Sequence, residues 1–352
     1  MRDENRQRQL RGSVRDYRVF DTASQNEALI NEFKGNLFEY LVGAALARSI
    51  GAEGEFLRTL SDELALRLRG YEDWLWQNDS QLAEQLPRLA HATSEYILSN
   101  LDQKFIKVLV IGKLAGGSHD ESFGEADLLL IAQDETPIPL SLKFCKKGAY
   151  VNTKSAGIRS FLSKYFSDVP NIDMAQQQVN IVLDESFSEL AQVLHERHGL
   201  EASSNFGSAW KEAGLPLLPG ELNQDDQNLL QQHYAKIISL ISKTLGHAFE
   251  HSRSEFNRSL AAILGLKVHG MIQVTCSHKE SKTSRYELDH ISIVREGERL
   301  GQLDQARFYP VAGNLASFNV EFPWGILQIR VKPMNKFTQA ALKVNCSVRE
   351  AE

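Results

Sequence analysis

The sequence predicts an α/β fold, with helices before a small sheet and a long helix before a second group of strands. Apolar residues recur at helical spacing up to about residue 103. Short apolar runs typical of strands follow, and helical spacing then returns before further strands. At 352 residues the chain is long enough for about two domains. We find no internal repeat or low-complexity tract.

The N-terminal third is predicted to be helical after a polar arm. Residues 1–23 show no hydrophobic period, and Ser24–Glu27 is a capping-box pattern that marks the start of an apolar helix. Leucines and aromatic residues at helical spacing over about 55–103 predict two further helices. We expect the break between them near Asn78 or Pro87.

The middle of the chain changes from helical to strand periodicity. Three short apolar runs separated by turn signals predict strands at Lys107–Gly112, Ala126–Ala132 and Pro139–Phe144. The segment 155–200 is predicted to be mostly helical, and Asn180–Leu183 fits either a helix or a strand.

The C-terminal part is predicted to be a helix followed by strands. Glycine, serine and proline over 201–222 indicate a linker or long loop. A long amphipathic helix from about Asn223 to Leu264 is followed by Gly265, which fits a C-cap. Strands are expected after it, at Met271–Thr275, His290–Val294 and Ile326–Val331.

Composition excludes several classes of protein. No stretch approaches the roughly 20 apolar residues of a membrane span, and no secretory signal is visible. The three cysteines lie far apart, which argues against a disulfide framework and favours a reducing, cytoplasmic location. The net charge of −6 argues against a nucleic-acid partner, unless the basic residues are clustered. They are clustered, as described below.

The candidate chemistry lies in two of the predicted strands. Asp127 opens one strand, and Ser141 and Lys143 lie in the next one, where alternation puts both on the same face. A lysine flanked by apolar residues in a strand needs a partner, and Asp127 is such a partner. A buried ion pair with a purely structural role is one reading of these residues.

Glu39 suggests that the pair belongs to a larger site. Steps of four residues along its helix give Gly35, Glu39, Gly43 and Ala47, so one carboxylate lies in a stripe of very small residues. Small residues allow close approach to another element, and a carboxylate at such a contact needs a metal or a cation. The alternative is a helix face with one solvated acid.

A helical Glu, an Asp at a strand start and a Ser-Leu-Lys on the next strand together resemble the PD-(D/E)xK nuclease superfamily, which includes type II restriction endonucleases. The resemblance covers roughly residues 24–166 and implies a restriction-endonuclease-like core, a helix plus a small mixed sheet. It implies that Asp127 and Glu39 hold Mg²⁺ and that Lys143 orients the attacking water or stabilises charge on the phosphate.

Ser141 departs from the family pattern, which has Asp or Glu at this position. A neutral hydroxyl is a weak metal ligand, so the site would lose one anionic oxygen. We expect Glu39 or Glu125 to replace it, and the alternative is an inactive copy of the site.

Two acid-free basic segments are predicted to bind DNA. The first contains Lys146, Lys147, Asn152, Lys154, Ser155 and Arg159, and its donor-rich segment 152–157 suits phosphate oxygens near a helix N-terminus. The second lies near the C-terminus and contains Arg330, Lys332, Asn335, Lys336, Lys343 and Arg349. Solvated surface is the alternative for both segments.

Three other interpretations of the protein's function stay open. Leu114–Ser118 followed by Asp127 is similar to a polymerase-β-type nucleotidyltransferase, although that pattern needs a second carboxylate where Leu129 stands. His247 and His251 fit the spacing of an inverted zinc protease motif. A catalytically inactive DNA-binding or interaction module is the third reading.

The sequence therefore predicts a polar arm (1–23), a nuclease core (24–200) with a helical insertion (about 55–103), a linker (201–222) and a DNA-recognition region (223–352). The expected activity is Mg²⁺-dependent hydrolysis of phosphodiester bonds in double-stranded DNA, at a specific sequence. By resemblance the role is restriction or another anti-phage defence, which implies a methyltransferase as functional partner. Palindromic recognition would favour a homodimer, although monomers also occur.

Overall fold

The structure is a computed structural model that describes residues 23–115, 123, 126–266, 270–334 and 336–351. The predicted polar arm, apart from Ala23, lies outside these residues. The chain divides into two compact units, the first formed by Met1–Lys147 and Val268–Glu296 and the second by Gly148–Lys267 and Gly297–Glu352. These units do not coincide with the ranges 24–200 and 223–352, because the chain leaves the first unit after 147 and returns to it at 268.

Ten α-helices are found in the described residues. In chain order they are α1 Ala23–Ser49, α2 Glu53–Thr59, α3 Asp62–Asn78, α4 Ser80–Asn100, α5 Phe161–Tyr165, α6 Ile172–Arg197, α7 Ser208–Glu212, α8 Gln224–His251, α9 Arg253–Ile263 and α10 Glu296–Leu300. No helix among the described residues is both long enough and apolar enough to cross a membrane.

Ten strands are found in the same residues. They are β1 Phe105–Val110, β2 Leu128–Ala132, β3 Pro137–Lys146, β4 Val151–Gly157, β5 Ile272–Lys279, β6 Glu287–Arg295, β7 Arg307–Tyr309, β8 Ser317–Phe322, β9 Gly325–Pro333 and β10 Leu342–Glu350. The α/β class is confirmed.

Polar side chains cap the N-termini of α3 and α4 in the first unit. Ser61 accepts a hydrogen bond from the Leu64 amide at the start of α3, and Asp79 accepts one from Leu82 at the start of α4. The break predicted near Asn78 is therefore correct, whereas Pro87 lies inside α4. A further break before Ser61 gives three helices over 53–100 instead of the two that were predicted.

The first unit contains a mixed sheet in the order β1-β2-β3-β5-β6. Every neighbouring pair is antiparallel except β3 and β5, which run parallel. One face packs on the helices through leucines 128, 130, 140 and 142, which share a buried cluster with Phe33, Phe38 and Leu46 of α1. Because side chains alternate along a strand, Asp127, Ser141 and Lys143 lie on the other face.

The small residues of α1 allow close packing on this sheet. A Cβ atom at Gly43 would lie 3.1 Å from Leu128 Cδ2 and 3.1 Å from the Phe56 ring. The close approach predicted from the stripe of small residues is confirmed at this position.

The second unit has an antiparallel sheet in the order β4-β10-β9-β8-β7. Its buried cluster takes in apolar residues of α6, α8 and this sheet. The segment 201–222, predicted to be a linker or a long loop, lies within this unit and contains the short helix α7, whose Trp210 is fully buried in the same cluster. The predicted long helix ends at His251, and a new helix begins after Ser252. Asn180–Leu183 is helical, within α6.

Candidate active site

Asp127 lies where β2 and β3 separate. Its backbone N–H donates to the Leu140 carbonyl at 2.8 Å, and its carbonyl accepts hydrogen bonds from Ile111 at 3.1 Å and Gly112 at 3.3 Å. The next amide of β3 that points towards β2, that of Leu142, donates to Asp127 Oδ2 at 2.7 Å. The Asp127 carboxylate therefore accepts the hydrogen bond that a backbone carbonyl of β2 would otherwise accept from the Leu142 amide of β3. This hydrogen bond fixes the position of the carboxylate.

The same oxygen is near both polar side chains of the Ser-Leu-Lys segment. The Ser141 hydroxyl donates to Asp127 Oδ2 at 3.5 Å, and Lys143 Nζ lies 3.9 Å from it. The Asp127 side chain is 13% exposed and that of Lys143 is 27% exposed. The structure thus brings these three predicted residues together at a position that solvent still reaches.

Gly112 leaves the space that the carboxylate occupies. A Cβ atom there would lie 3.0 Å from the Ala126 carbonyl oxygen, 3.0 Å from Asp127 Cα and 3.2 Å from Asp127 Oδ1. Sequence reasoning did not identify this residue as part of the site. A glycine at the end of a predicted strand, which often marks close backbone approach, was the available signal.

The parallel neighbour β5 extends the polar face. Gln273 pairs in register with Ser141 and Thr275 pairs with Lys143, while Gln273 Nε2 donates to Thr275 Oγ1 at 3.3 Å. These two residues were not predicted, because their strand is more than a hundred residues away in sequence. The polar residues within the apolar run Met271–Thr275 were the signal for them.

The other two predicted metal ligands are Glu39 and Glu125. Glu39 is partly buried on α1, one helical turn before Gly43, and Glu125 lies outside the described residues. The described residues contain no group of three or more His, Cys, Asp or Glu side chains arranged to hold a metal. Asp127 alone still fits Mg²⁺, because this ion is commonly held by one or two carboxylates together with water and substrate phosphate.

In the folded protein, the first basic segment carries less uncompensated positive charge than its sequence suggests. Lys146 lies 3.2 Å from Glu280, and Lys147 lies 3.6 Å from Asp289. Arg159 donates to Asp184 at 3.2 Å. Acids from distant parts of the chain therefore accompany cations that appear unaccompanied in the linear sequence.

The donor-rich segment 152–157, predicted to bind phosphate near a helix N-terminus, forms part of the strand β4 and precedes the short helix α5. Asn152, Lys154 and Ser155 lie on β4, which pairs with β10 at one end of the second sheet. The backbone donors of this segment are consequently used in part by strand pairing. In the second basic segment, Arg330 and Lys332 lie on β9, Lys336 follows it, and Asn335 lies outside the described residues.

The structure gives little support to the two other catalytic readings. Leu129, at the position where a nucleotidyltransferase needs its second carboxylate, is a buried residue of β2. His247 and His251 stack with their ring centroids 4.2 Å apart on α8. Neither belongs to a group of three metal-binding side chains among the described residues.

No family model, no curated protein and no solved structure matches this chain.

Proposed function

We propose that this protein is a Mg²⁺-dependent DNA endonuclease in which Asp127 and Lys143 are catalytic. The observation that carries the proposal is the carboxylate–lysine pair where β2 and β3 separate, with Lys143 Nζ 3.9 Å from Asp127 Oδ2. Both side chains are held by strands of one sheet and remain partly accessible.

The order of elements supports the same reading. The helices α1–α4 precede three antiparallel strands, and a later strand runs parallel to the third of them. A helix plus a small mixed sheet, with an acid and a lysine on adjacent strands, is what resemblance to the PD-(D/E)xK superfamily implies.

Each residue of the site has a role that follows from its contacts. Asp127 would hold the metal ion, which when bound activates water and neutralises charge on the phosphate. Lys143, kept near Asp127 by their mutual attraction, would orient the attacking water or stabilise charge on the phosphate oxygens. Ser141 donates a hydrogen bond to Asp127 and supplies no negative charge. Glu39 and Glu125 are the proposed further ligands.

The wider biological role is part of the proposal. We propose sequence-specific cleavage of double-stranded DNA in restriction or a related anti-phage defence, in the cytoplasm, with a methyltransferase as functional partner where the role is restriction. A homodimer would suit a palindromic site.

A second candidate is a DNA-binding module without catalysis. The observation in its favour is that Leu142, Ser141 and Lys143 all share one oxygen of Asp127, as in a structural ion pair. The two candidates differ in what loss of Lys143 would do.

The test is incubation of unmethylated phage DNA with purified protein, with and without Mg²⁺, followed by gel electrophoresis. The matched control for Lys143→Ala is Lys107→Ala, which removes a lysine of β1 that pairs with Glu55 at 2.7 Å. We expect Mg²⁺-dependent cleavage that falls about 100-fold or more in Lys143→Ala, with DNA binding within a few-fold of wild type. Lys107→Ala should cleave normally.

Two results would overturn the proposal. Intact DNA with folded wild-type protein would favour the binding module. Normal cleavage by folded Lys143→Ala would remove the lysine from the chemistry.

A further inference from the structure

Three cations lie close together on the outer face of the second sheet. Lys343 of β10 pairs in register with Lys332 of β9, and the next residue on this face of β10, Asn345, pairs with Arg330. Alternation places the buried residues Val344 and Cys346 on the opposite, core-facing side. We call the surface formed by Arg330, Lys332, Lys343 and Asn345 the cationic face.

This arrangement is electrostatically unfavourable in the protein alone. Like charges directly opposite each other on neighbouring strands are destabilising. Burial lowers the pKa of Lys332, and the adjacent Lys343 and Arg330 lower it further. Among the described residues, no carboxylate lies within ion-pair distance of any of the three cations. This distinguishes the cationic face from the first basic segment, where acids accompany Lys146, Lys147 and Arg159.

Polar side chains continue the surface across the sheet. Ser155, Asn345, Arg330 and Ser317 form one register row over β4, β10, β9 and β8. The Asn345 Oδ1 atom is buried and has no hydrogen-bond partner among the described residues. Hydroxyl, amide and guanidinium groups are the donors that proteins commonly use to contact phosphate and sugar oxygens.

The charge is concentrated at one end of this face. Towards the other end of this face, Glu321 of β8 and Arg349 of β10 both pair with Ile326 of β9, and Arg307 of β7 pairs in register with Glu321. The cations therefore form a local positive patch on a protein whose net charge is −6. Local clustering of this kind binds a polyanion by releasing its counterions.

We propose that the cationic face binds the phosphate backbone of DNA. The choice of DNA as the polyanion rests on the proposed endonuclease function. The neighbours Asn345, Gln328 and Ser347 on this face are polar, so they offer hydrogen bonds to a phosphate–sugar backbone. Arg330, Lys332 and Lys343 belong to a basic segment that the sequence predicts to bind DNA, whereas their placement on one face beside Asn345 follows from strand register.

The test is fluorescence anisotropy with a labelled DNA duplex in EDTA, over a series of NaCl concentrations. The variant Lys332→Glu/Lys343→Glu is compared with Lys211→Glu/Lys243→Glu, which reverses two exposed lysines of the same unit. Both variants change the net charge equally. We expect the first to bind about tenfold or more weakly, with a salt slope smaller by about two, because each lost phosphate contact lowers the slope by about one.

A second variant guards against misfolding. Lys332→Gln/Lys343→Gln removes the two charges without introducing acids, so it should unfold at or above the wild-type Tm while still losing affinity. Equal losses in the Lys332/Lys343 and Lys211/Lys243 variants would show a non-specific effect of net charge and overturn the proposal. Unchanged binding by the Lys332/Lys343 variant, or binding to phosphatidylserine vesicles in place of DNA, would also overturn it.

The experiment separates this inference from the proposed catalysis. Binding is measured in EDTA, where no Mg²⁺-dependent cleavage takes place. If DNA binding depends on Lys332 and Lys343 but no condition gives cleavage, the endonuclease proposal fails and the cationic face stands. If cleavage is found and these variants bind and cleave normally, the proposal for the cationic face fails and the endonuclease proposal stands.

Discussion

Gly112→Ala should disturb the site without changing any polar group in it. The new methyl group would lie 3.0 Å from the Ala126 carbonyl oxygen and 3.0 Å from Asp127 Cα. Both are backbone atoms, which cannot move aside as the end of a flexible side chain can. The strand segment that carries Asp127 must therefore shift by a few tenths of an ångström, and its carboxylate must shift with it.

The expected loss of stability is modest. Forcing an extra methyl group into a packed site costs about 1–3 kcal/mol. Replacing glycine by alanine also restricts the unfolded chain, which returns about 0.4–1 kcal/mol. We therefore expect a net loss of about 1–2 kcal/mol, and each kcal/mol lowers the Tm of a unit of this size by about 2–4 °C.

The assay combines thermal unfolding with Mg²⁺-dependent cleavage of DNA. The matched control is Gly70→Ala in α3, where an added Cβ meets nothing within 4 Å. That change should stabilise the helix by about 0.5–1 kcal/mol and leave cleavage unchanged. If Gly112→Ala is as stable and as active as wild type, the packing argument for the position of Asp127 is refuted.

Two further substitutions test the proposed Mg²⁺ site and the loss of stability in acid. Glu39→Ala should raise the Mg²⁺ concentration needed for half-maximal cleavage several-fold, because it removes a proposed ligand, whereas Glu32→Ala on the same helix should not. Burial lowers the pKa of His233 to about 4. Between about pH 6.5 and about pH 4, this imidazole is therefore protonated in the unfolded chain but mostly neutral in the folded protein, which favours unfolding. His233 alone should lower the free energy of unfolding by about 2 kcal/mol between about pH 7 and about pH 5, and His233→Gln should lose that contribution.

Each of these expectations has a direct contrary result. An unchanged Mg²⁺ titration in Glu39→Ala would remove that residue from the site. For the histidine, urea unfolding at both pH values is compared with His290→Gln, which removes an exposed imidazole. If His233→Gln and His290→Gln lose the same free energy on acidification, His233 is not the source of the acid sensitivity.

Local sequence patterns predicted the elements of the first unit well. Alternation along Pro139–Phe144 placed Ser141 and Lys143 on one face, and the structure has them there beside Asp127. This worked because Asp127 and Lys143 belong to sequence-adjacent antiparallel strands, whose pairing is governed by a short connection.

Long-range pairing is what sequence reasoning missed. The parallel contact between β3 and β5, which brings Gln273 next to Ser141, joins strands separated by the whole segment 148–267. The acids beside Lys146 and Lys147 also come from distant segments. Neither pairing leaves a periodic signal, so the first basic segment looked more positive in sequence than it is in the fold.

The separation of β3 from β5 has a consequence for synthesis of the protein on the ribosome. The first sheet pairs these strands directly, yet Ile272 is made more than a hundred residues after Lys146. At about 5–20 residues per second, the nascent chain spends several seconds or more with β3 made and its partner still absent. During that time the open edge of β3 can pair with other chains. Chaperone protection of nascent chains should therefore matter for β3, and also for β4 of the second sheet, whose neighbour β10 is made later still.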